Sequence, residues 1–247
     1  LPAIWRGTTD NGIPVLGARN DEVPTTTLQL RIEAGQRHEP LDKLGLASLT
    51  AAMLNESTLK STNEELSDRL QKLGSSVSFG AGNGETTLTV RALTRNLDEA
   101  LAIAAERLLE PKFDPSDFAR AKSQTLQAIE QSKKQAANTA QVVYQLLLMG
   151  RENPVAYLNM GTAETVRVLT LDDVKAFYRE RYTPPIANII AVSNLEPDDL
   201  LGRLDAFSGW SGGTAPAVDL ESFPETAATT VYLVDKPGAA SSEIMLG

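Results

Sequence analysis

The sequence predicts an α+β domain with a core of its own. Three observations carry this. Strand texture clusters in the first third of the chain and returns around residues 76–92 and 186–192, instead of alternating regularly with helices. Well-capped amphipathic segments occupy the stretches between. And 247 residues at 42% hydrophobic sit near the upper size for a single core, so one large domain, or one plus the start of another, is expected.

The elements follow in order. Asn11-Gly12 between Ile4/Trp5 and Val15/Leu16 signals a hairpin with a two-residue turn. Thr27 to Ile32 alternates so that Leu28, Leu30 and Ile32 face inward. Leu46, Leu49 and Met53 recur at helical spacing, which predicts a helix from about Asp42 to Asn55. Ser61-Thr62-Asn63-Glu64 reads as a capping box for a helix lined by Leu66, Leu70 and Leu73 and stopped by Gly74. Ser76 to Gly80 and Thr86 to Ala92 form a strand pair across Gly82-Asn83-Gly84. That turn is no phosphate loop, since neither Gly-Lys-Ser/Thr nor a helix follows it. Asn96 caps a helix carrying Leu97, Leu101, Ala104 and Leu108. Asp114-Pro115-Ser116-Asp117 opens a long helix running to about Leu148. Thr170-Leu171-Asp172-Asp173 begins another helix, Ile186 to Val192 is an apolar strand, and Pro197 starts a short helix.

Composition removes several function classes. The net charge of −9 and the lack of any basic cluster argue against nucleic acid. No apolar run reaches the roughly 18 residues of a membrane span. With no Cys, thiol nucleophiles, disulfides and thiolate zinc sites are out. One histidine, His38, would have to carry any imidazole chemistry. The chain opens on Leu1, which fits removal of a leader or preceding domain. Domain organisation is expected as 1–207, a linker over 208–228 rich in Gly, Pro, Ser, Thr and acids, and the first strands of a second, truncated domain over 229–247.

In this order and spacing, Asn11-Gly12-Ile13-Pro14-Val15-Leu16, Ala34-Gly35 with Arg37 and Glu39, and the run from Gly45 to Thr58 resemble the pitrilysin/insulinase family of zinc peptidases. Leu73-Gly74, Pro111-Lys112-Phe113, Gly161-Thr162, Leu169 to Val174, Tyr182-Thr183-Pro184, Gly209-Trp210 and Val234 to Ala239 extend the likeness over the chain. The resemblance implies a processing-peptidase-like domain, a mixed, mostly antiparallel sheet with helices packed on one face, followed by a similar domain.

It also implies where zinc should sit. Active members carry His-x-x-Glu-His on one helical face, with a third ligand, a Glu, on a later helix about 76 residues on. By the Gly-Leu-Ala lead-in, those positions fall on Ser48, Ala51, Ala52 and Ala128. None of the four can serve: methyl groups offer no lone pair, and a serine hydroxyl is a poor neutral ligand. No metal, catalytic or cofactor-binding residue is therefore expected in this chain. The likeness implies the metal-free C-terminal half of a bacterial two-half zinc protease. Its partners would be a homologous zinc-bearing half and a peptide substrate, and its place the periplasm or another exported location, with the cytoplasm as the alternative. The Arg and Tyr that hold substrate in such halves would fall beyond Gly247. Two other readings compete: a structural subunit with no proteolytic role, and an unrelated carboxylate enzyme on the same scaffold.

Blander roles fit the remaining candidates. His38-Glu39 reads as an exposed loop, Ser48 as mid-helix filler without a nucleophile elbow, and Glu56, Glu64 and Glu65 as capping and solvated acids. Tyr178 and Tyr182 read as a packing face, and Lys133-Lys134 as a solvated one. A free sheet edge could guide peptide or be covered.

Overall fold

The computed structural model describes residues 3–217, 224, 230–235, 237–238 and 242–246. In chain order the elements are β1 (Ile4–Thr8), β2 (Pro14–Arg19), β3 (Thr25–Ile32), α1 (Leu46–Leu54), α2 (Asn63–Leu73), β4 (Ser76–Ala81) and β5 (Thr86–Leu93). There follow α3 (Leu97–Leu109), α4 (Pro115–Lys133), α5 (Ala136–Met149), α6 (Ala163–Val168), α7 (Leu171–Arg181), β6 (Ala187–Ser193) and α8 (Pro197–Arg203). One six-stranded sheet runs β1-β2-β6-β3-β5-β4. Only β2 and β6 pair in parallel; the other neighbours are antiparallel.

The period-two pattern sets which face is covered. Leu28 lies in register with Val90 and Ala191, and Leu30 with Leu88 and Ile189, all fully or nearly fully buried. The alternate residues Thr27, Gln29 and Arg31 are only half-buried, opposite Arg91, Thr89 and Thr87. The helices therefore pack on one face, as expected. β6 comes last in sequence among the strands yet inserts between β2 and β3, so residues before and after the long helices share one core. That core extends to Phe207 and Trp210, whose indole Nε1 donates to the Tyr182 carbonyl at 3.0 Å.

Several expectations need correction. α1 starts at Leu46, four residues late, because Gly45 at φ +96° breaks helical geometry just before it. The capping box is Thr62 with Glu65, one residue on from Ser61 with Glu64: Thr62 has the extended backbone an N-cap needs, and its N–H donates to Glu65 Oε2 at 2.8 Å. Asn96 occupies the N-cap position of α3 without capping it; its Nδ2 instead donates to the Leu73 carbonyl. The long helix is two, α4 and α5, because Gln135 turns extended and Asn138 Nδ2 reaches back to Ser132 Oγ at 3.1 Å. α6, with its Thr162–Thr165 capping box, was not anticipated: six residues offer too little periodicity. Described residues 230–235 and 242–246 belong to no strand, since two short segments without further partners make no stable sheet; residues 229, 236, 239–241 and 247 lie outside the described ones.

Gly161, at φ +79°, closes the loop between α5 and α6 against the start of α1: a Cβ there would come 2.2 Å from the Leu44 carbonyl oxygen. Gly161→Ala is expected to cost about 2 kcal/mol from backbone strain alone, read as a lower urea midpoint at unchanged m-value.

Candidate functional site

α1 is the most enclosed helix in the domain. Leu46, Ala47, Leu49, Thr50, Ala51, Met53 and Leu54 are all buried. Only Ser48 and Ala52 are half-exposed, and at spacing i, i+4 they form one narrow open stripe. The resemblance puts the two imidazoles of a metal-bearing relative at these positions; here they are a hydroxymethyl and a methyl group. Ser48 Oγ donates to the Asn159 carbonyl at 2.7 Å, while Ala52 packs its methyl against the core. Ala51 is 2% exposed within the core cluster. Ala128 stands exposed on α4, a helix that packs against α1. Among the described residues no group of three or more His, Cys, Asp or Glu is arranged to hold a metal ion. A tetrahedral zinc site needs at least three such ligands, so the residues at these four positions do not fit one.

The loop crossing the open stripe is firmly tied. Buried Gln36 donates from Nε2 to the carbonyls of Pro154, Tyr157 and Leu158 at 2.8, 3.0 and 3.2 Å. Asn159 in turn donates from Nδ2 to the Ala81 carbonyl at 3.1 Å, at the end of β4. This bond belongs to a series along the outer edge of the sheet. The Val77 carbonyl accepts from buried Arg107 Nη1 at 2.7 Å. Phe79 is bracketed by Asn55, whose Nδ2 donates to the Phe79 carbonyl at 2.9 Å while Oδ1 accepts the Phe79 N–H at 2.8 Å. An amide side chain thus occupies the place of a neighbouring strand. The edge is covered, not open.

The other named candidates fall apart as a site. Glu56 takes a two-pronged contact from Arg120, at 3.1 and 2.7 Å, and Glu65 caps α2, so no carboxylate pair forms. Tyr178 and Tyr182 pack as expected, with ring centroids 5.3 Å apart. Tyr178 donates to the Leu108 carbonyl and Tyr182 to Thr86 Oγ1, and burial pushes the Tyr178 phenol up to about 12.

Sequence reasoning missed Glu39. It is no exposed loop residue: it is 4% exposed, and its carboxylate accepts the backbone N–H groups of Gly45 at 2.9 Å and Ala47 at 2.5 Å. α1 has no side-chain cap of its own, so Glu39 satisfies its first amides from six and eight residues upstream. Burial pushes this carboxyl up to about 7, against the opposing pull of the two amides. Its neighbour His38 is held down to about 4, by burial first and then by the nearby Arg181. An acid this far from a helix start has no short-range signature, and only the fold brings it there.

With the geometry in place, comparison identifies the scaffold. A family model described as insulinase (peptidase family M16) matches residues 15–155. The chain belongs to the insulinase family. A second model, the peptidase M16 inactive domain, matches residues 169–247. Among solved structures, the peptidase M16 inactive domain from Pseudomonas fluorescens superposes with a TM-score of 0.83 at 26% identity, covering 90% of this chain and 54% of that one. The periplasmic protease PqqL from Escherichia coli gives 0.77 at 19% identity, covering 91% of this chain and 25% of that one, a likeness of fold. The non-peptidase homolog YmxG of Helicobacter pylori is 25% identical over 193 residues, 78% of this chain and 44% of its own length. The chain spans about half the length of the curated relatives it matches, or less. With a single histidine, this insulinase-family domain carries no His-x-x-Glu-His motif. No helix among the described residues is long and apolar enough to cross a membrane.

Proposed function

We propose that this chain is the catalytically silent first domain of a metal-free, C-terminal half of an insulinase-family peptidase. It docks against a zinc-bearing half and closes the chamber in which peptide is cut. The observation that carries this reading is the open stripe of α1, where Ser48 and Ala52 present a hydroxymethyl and a methyl group beneath a loop tied down by Gln36 and Asn159. The covered β4 edge adds a restriction: peptide does not add to this sheet as a strand at Val77 to Ala81, so substrate contacts of this half lie elsewhere. A first domain ending near Phe207, a linker over 208–228 and a second domain from 229 fit the pairing of β6 with β2 and β3, which ties the chain as far as Ser193 into the first sheet, while buried Trp210 carries the packing of that domain three residues past Phe207. The printed name of PqqL supports a periplasmic location.

A second reading, a structural or assembly subunit with no proteolytic role, is favoured by the name non-peptidase homolog carried by the Helicobacter relative. One experiment separates the two. The chain and its full-length parent, or the parent with any co-purifying His-x-x-Glu-His protein, are assayed for zinc by elemental analysis and for peptide cleavage. The chain is expected to hold no stoichiometric zinc and to cleave nothing, and the full assembly to do both. An assembly that does neither leaves the structural reading standing; zinc or hydrolysis in the isolated chain would sink both.

A further inference from the structure

A cleft of about 300 Å³ opens between the end of β3, the turn at Gln36–His38, the C-terminus of α7 and the segment around residue 216. Its walls carry Glu33, Arg37, His38, Arg181, Ile186 and Pro216. Arg181 is 6% exposed, yet among the described residues its guanidinium makes one hydrogen bond, from Nη1 to the Pro216 carbonyl at 2.6 Å. The carboxylate paired with it, Glu180, is 3.9 Å from Nε, too far for a hydrogen bond. A guanidinium offers five N–H donors and is seldom buried without an anion. Arg37, whose guanidinium rests against Gly84 and can swing from that exposed position, and the His38 imidazole line the same space.

We propose that this cleft binds a carboxylate, gripped by the guanidinium groups of Arg181 and Arg37 with His38 on its flank. A planar guanidinium matches a carboxylate in two-pronged fashion. The charge of the walls selects the ligand further. Two guanidiniums against Glu33 leave one net positive charge, which suits a singly charged carboxylate, whereas the second charge that phosphate gains near neutral pH would meet Glu33. His38 Nδ1 lies 3.3 Å from the Gly35 carbonyl, so Nε2 is the ring nitrogen left for the cleft. That atom donates only when the ring is charged, so binding and His38 protonation strengthen each other. The groups facing the ring are Arg37, Arg181 and Glu33, together with its chain neighbour Glu39.

His38 is the sole histidine, so its ring Cε1 proton is a single, assignable NMR signal. The 247-residue chain is titrated in chloride, acetate and phosphate at equal ionic strength. Further titrations use an acetylated tripeptide with a free C-terminus and the same peptide amidated. Acetate or the free peptide is expected to raise the His38 pKa from about 4 toward 6.5, with at least tenfold tighter binding at pH 5 than at pH 8. Acetate alone would mark a small carboxylate as the ligand, and the free peptide binding better a peptide terminus. Arg181→Gln should abolish the response; Arg37→Gln, at an exposed position, should weaken it severalfold. Acetate acting no differently from chloride, phosphate binding more tightly than any carboxylate, the amidated peptide binding equally, or Arg37→Gln responding as wild type would each overturn the assignment.

Discussion

Ala51→Glu is expected to cost about 4 kcal/mol, a large share of the roughly 5–15 kcal/mol that holds a domain folded. The position is 2% exposed and surrounded by the core. A carboxylate placed there has no cation to pair with, and desolvating it costs several kcal/mol; the added volume costs about 1–3 more if the site cannot relax. The chain can escape part of this only by protonating the new acid or twisting α1. Ser48→His and Ala52→His, on the half-exposed stripe of the same helix, are expected to stay within about 1 kcal/mol of wild type, the serine change losing its hydrogen bond to Asn159. Urea unfolding followed by circular dichroism measures all three. Equal midpoints for the Glu and His variants would mean that α1 is not enclosed as described. The contrast has functional weight. A glutamate at this point of the helix is tolerable beside a metal ion, whose charge offsets its burial. On the function proposed above, with no imidazole at 48 or 52, alanine at 51 is the residue that leaves nothing unpaired.

The strands and most helix starts were legible because short-range patterns set them: the alternation of Leu28, Leu30 and Ile32, the Asn11-Gly12 turn with Gly12 at φ +85°, and Asp114 accepting the Ser116 N–H at the head of α4. That Ser48 and Ala52 share one face of α1 was legible because it depends only on helical spacing. What the pattern could not convey is long-range. The bond from Asn55 to Phe79 spans 24 residues, that from Arg107 to Val77 spans 30, and that from Asn159 to Ala81 spans 78. None has a local signature, because each is set by where the sheet places β4. The break between α4 and α5 failed for the opposite reason. Neither Gly nor Pro marks it, and Ala136, Ala140, Val143 and Leu147 resume helical spacing directly after it, while the turn depends on one backbone angle at Gln135 and the reach of Asn138.

Glu39→Ala is expected to cost about 3 kcal/mol at low pH, and less as pH rises, since it leaves the Gly45 and Ala47 amides without their acceptor at the start of the central helix. Glu39→Gln keeps an acceptor and tests the charge alone. A carboxyl whose folded value lies near 7 against an ordinary 4.5 holds its proton longer in the folded chain than in the unfolded one. Stability from this residue is therefore full below pH 4.5 and declines as pH rises through about 7, by about 1.4 kcal/mol per pH unit at its steepest. His38 runs the other way. Held near 4 against an ordinary 6.5, it takes up its proton more readily when unfolded, so its contribution is full above pH 6.5 and is lost as pH falls through about 4. Between pH 4.5 and 6.5 the two slopes oppose each other, and the wild-type chain should show a nearly level plateau there. Removing either partner should tilt it. Glu39→Gln should gain stability with rising pH across that window, through His38, and His38→Gln should lose it, through Glu39. The measurement is the urea midpoint of the three proteins at half-unit steps from pH 4 to pH 8. Three parallel curves would show that neither group is perturbed by its surroundings, whereas opposite tilts would tie the stability of the motif-bearing helix to the carboxylate beneath it and to the cationic cleft beside that carboxylate.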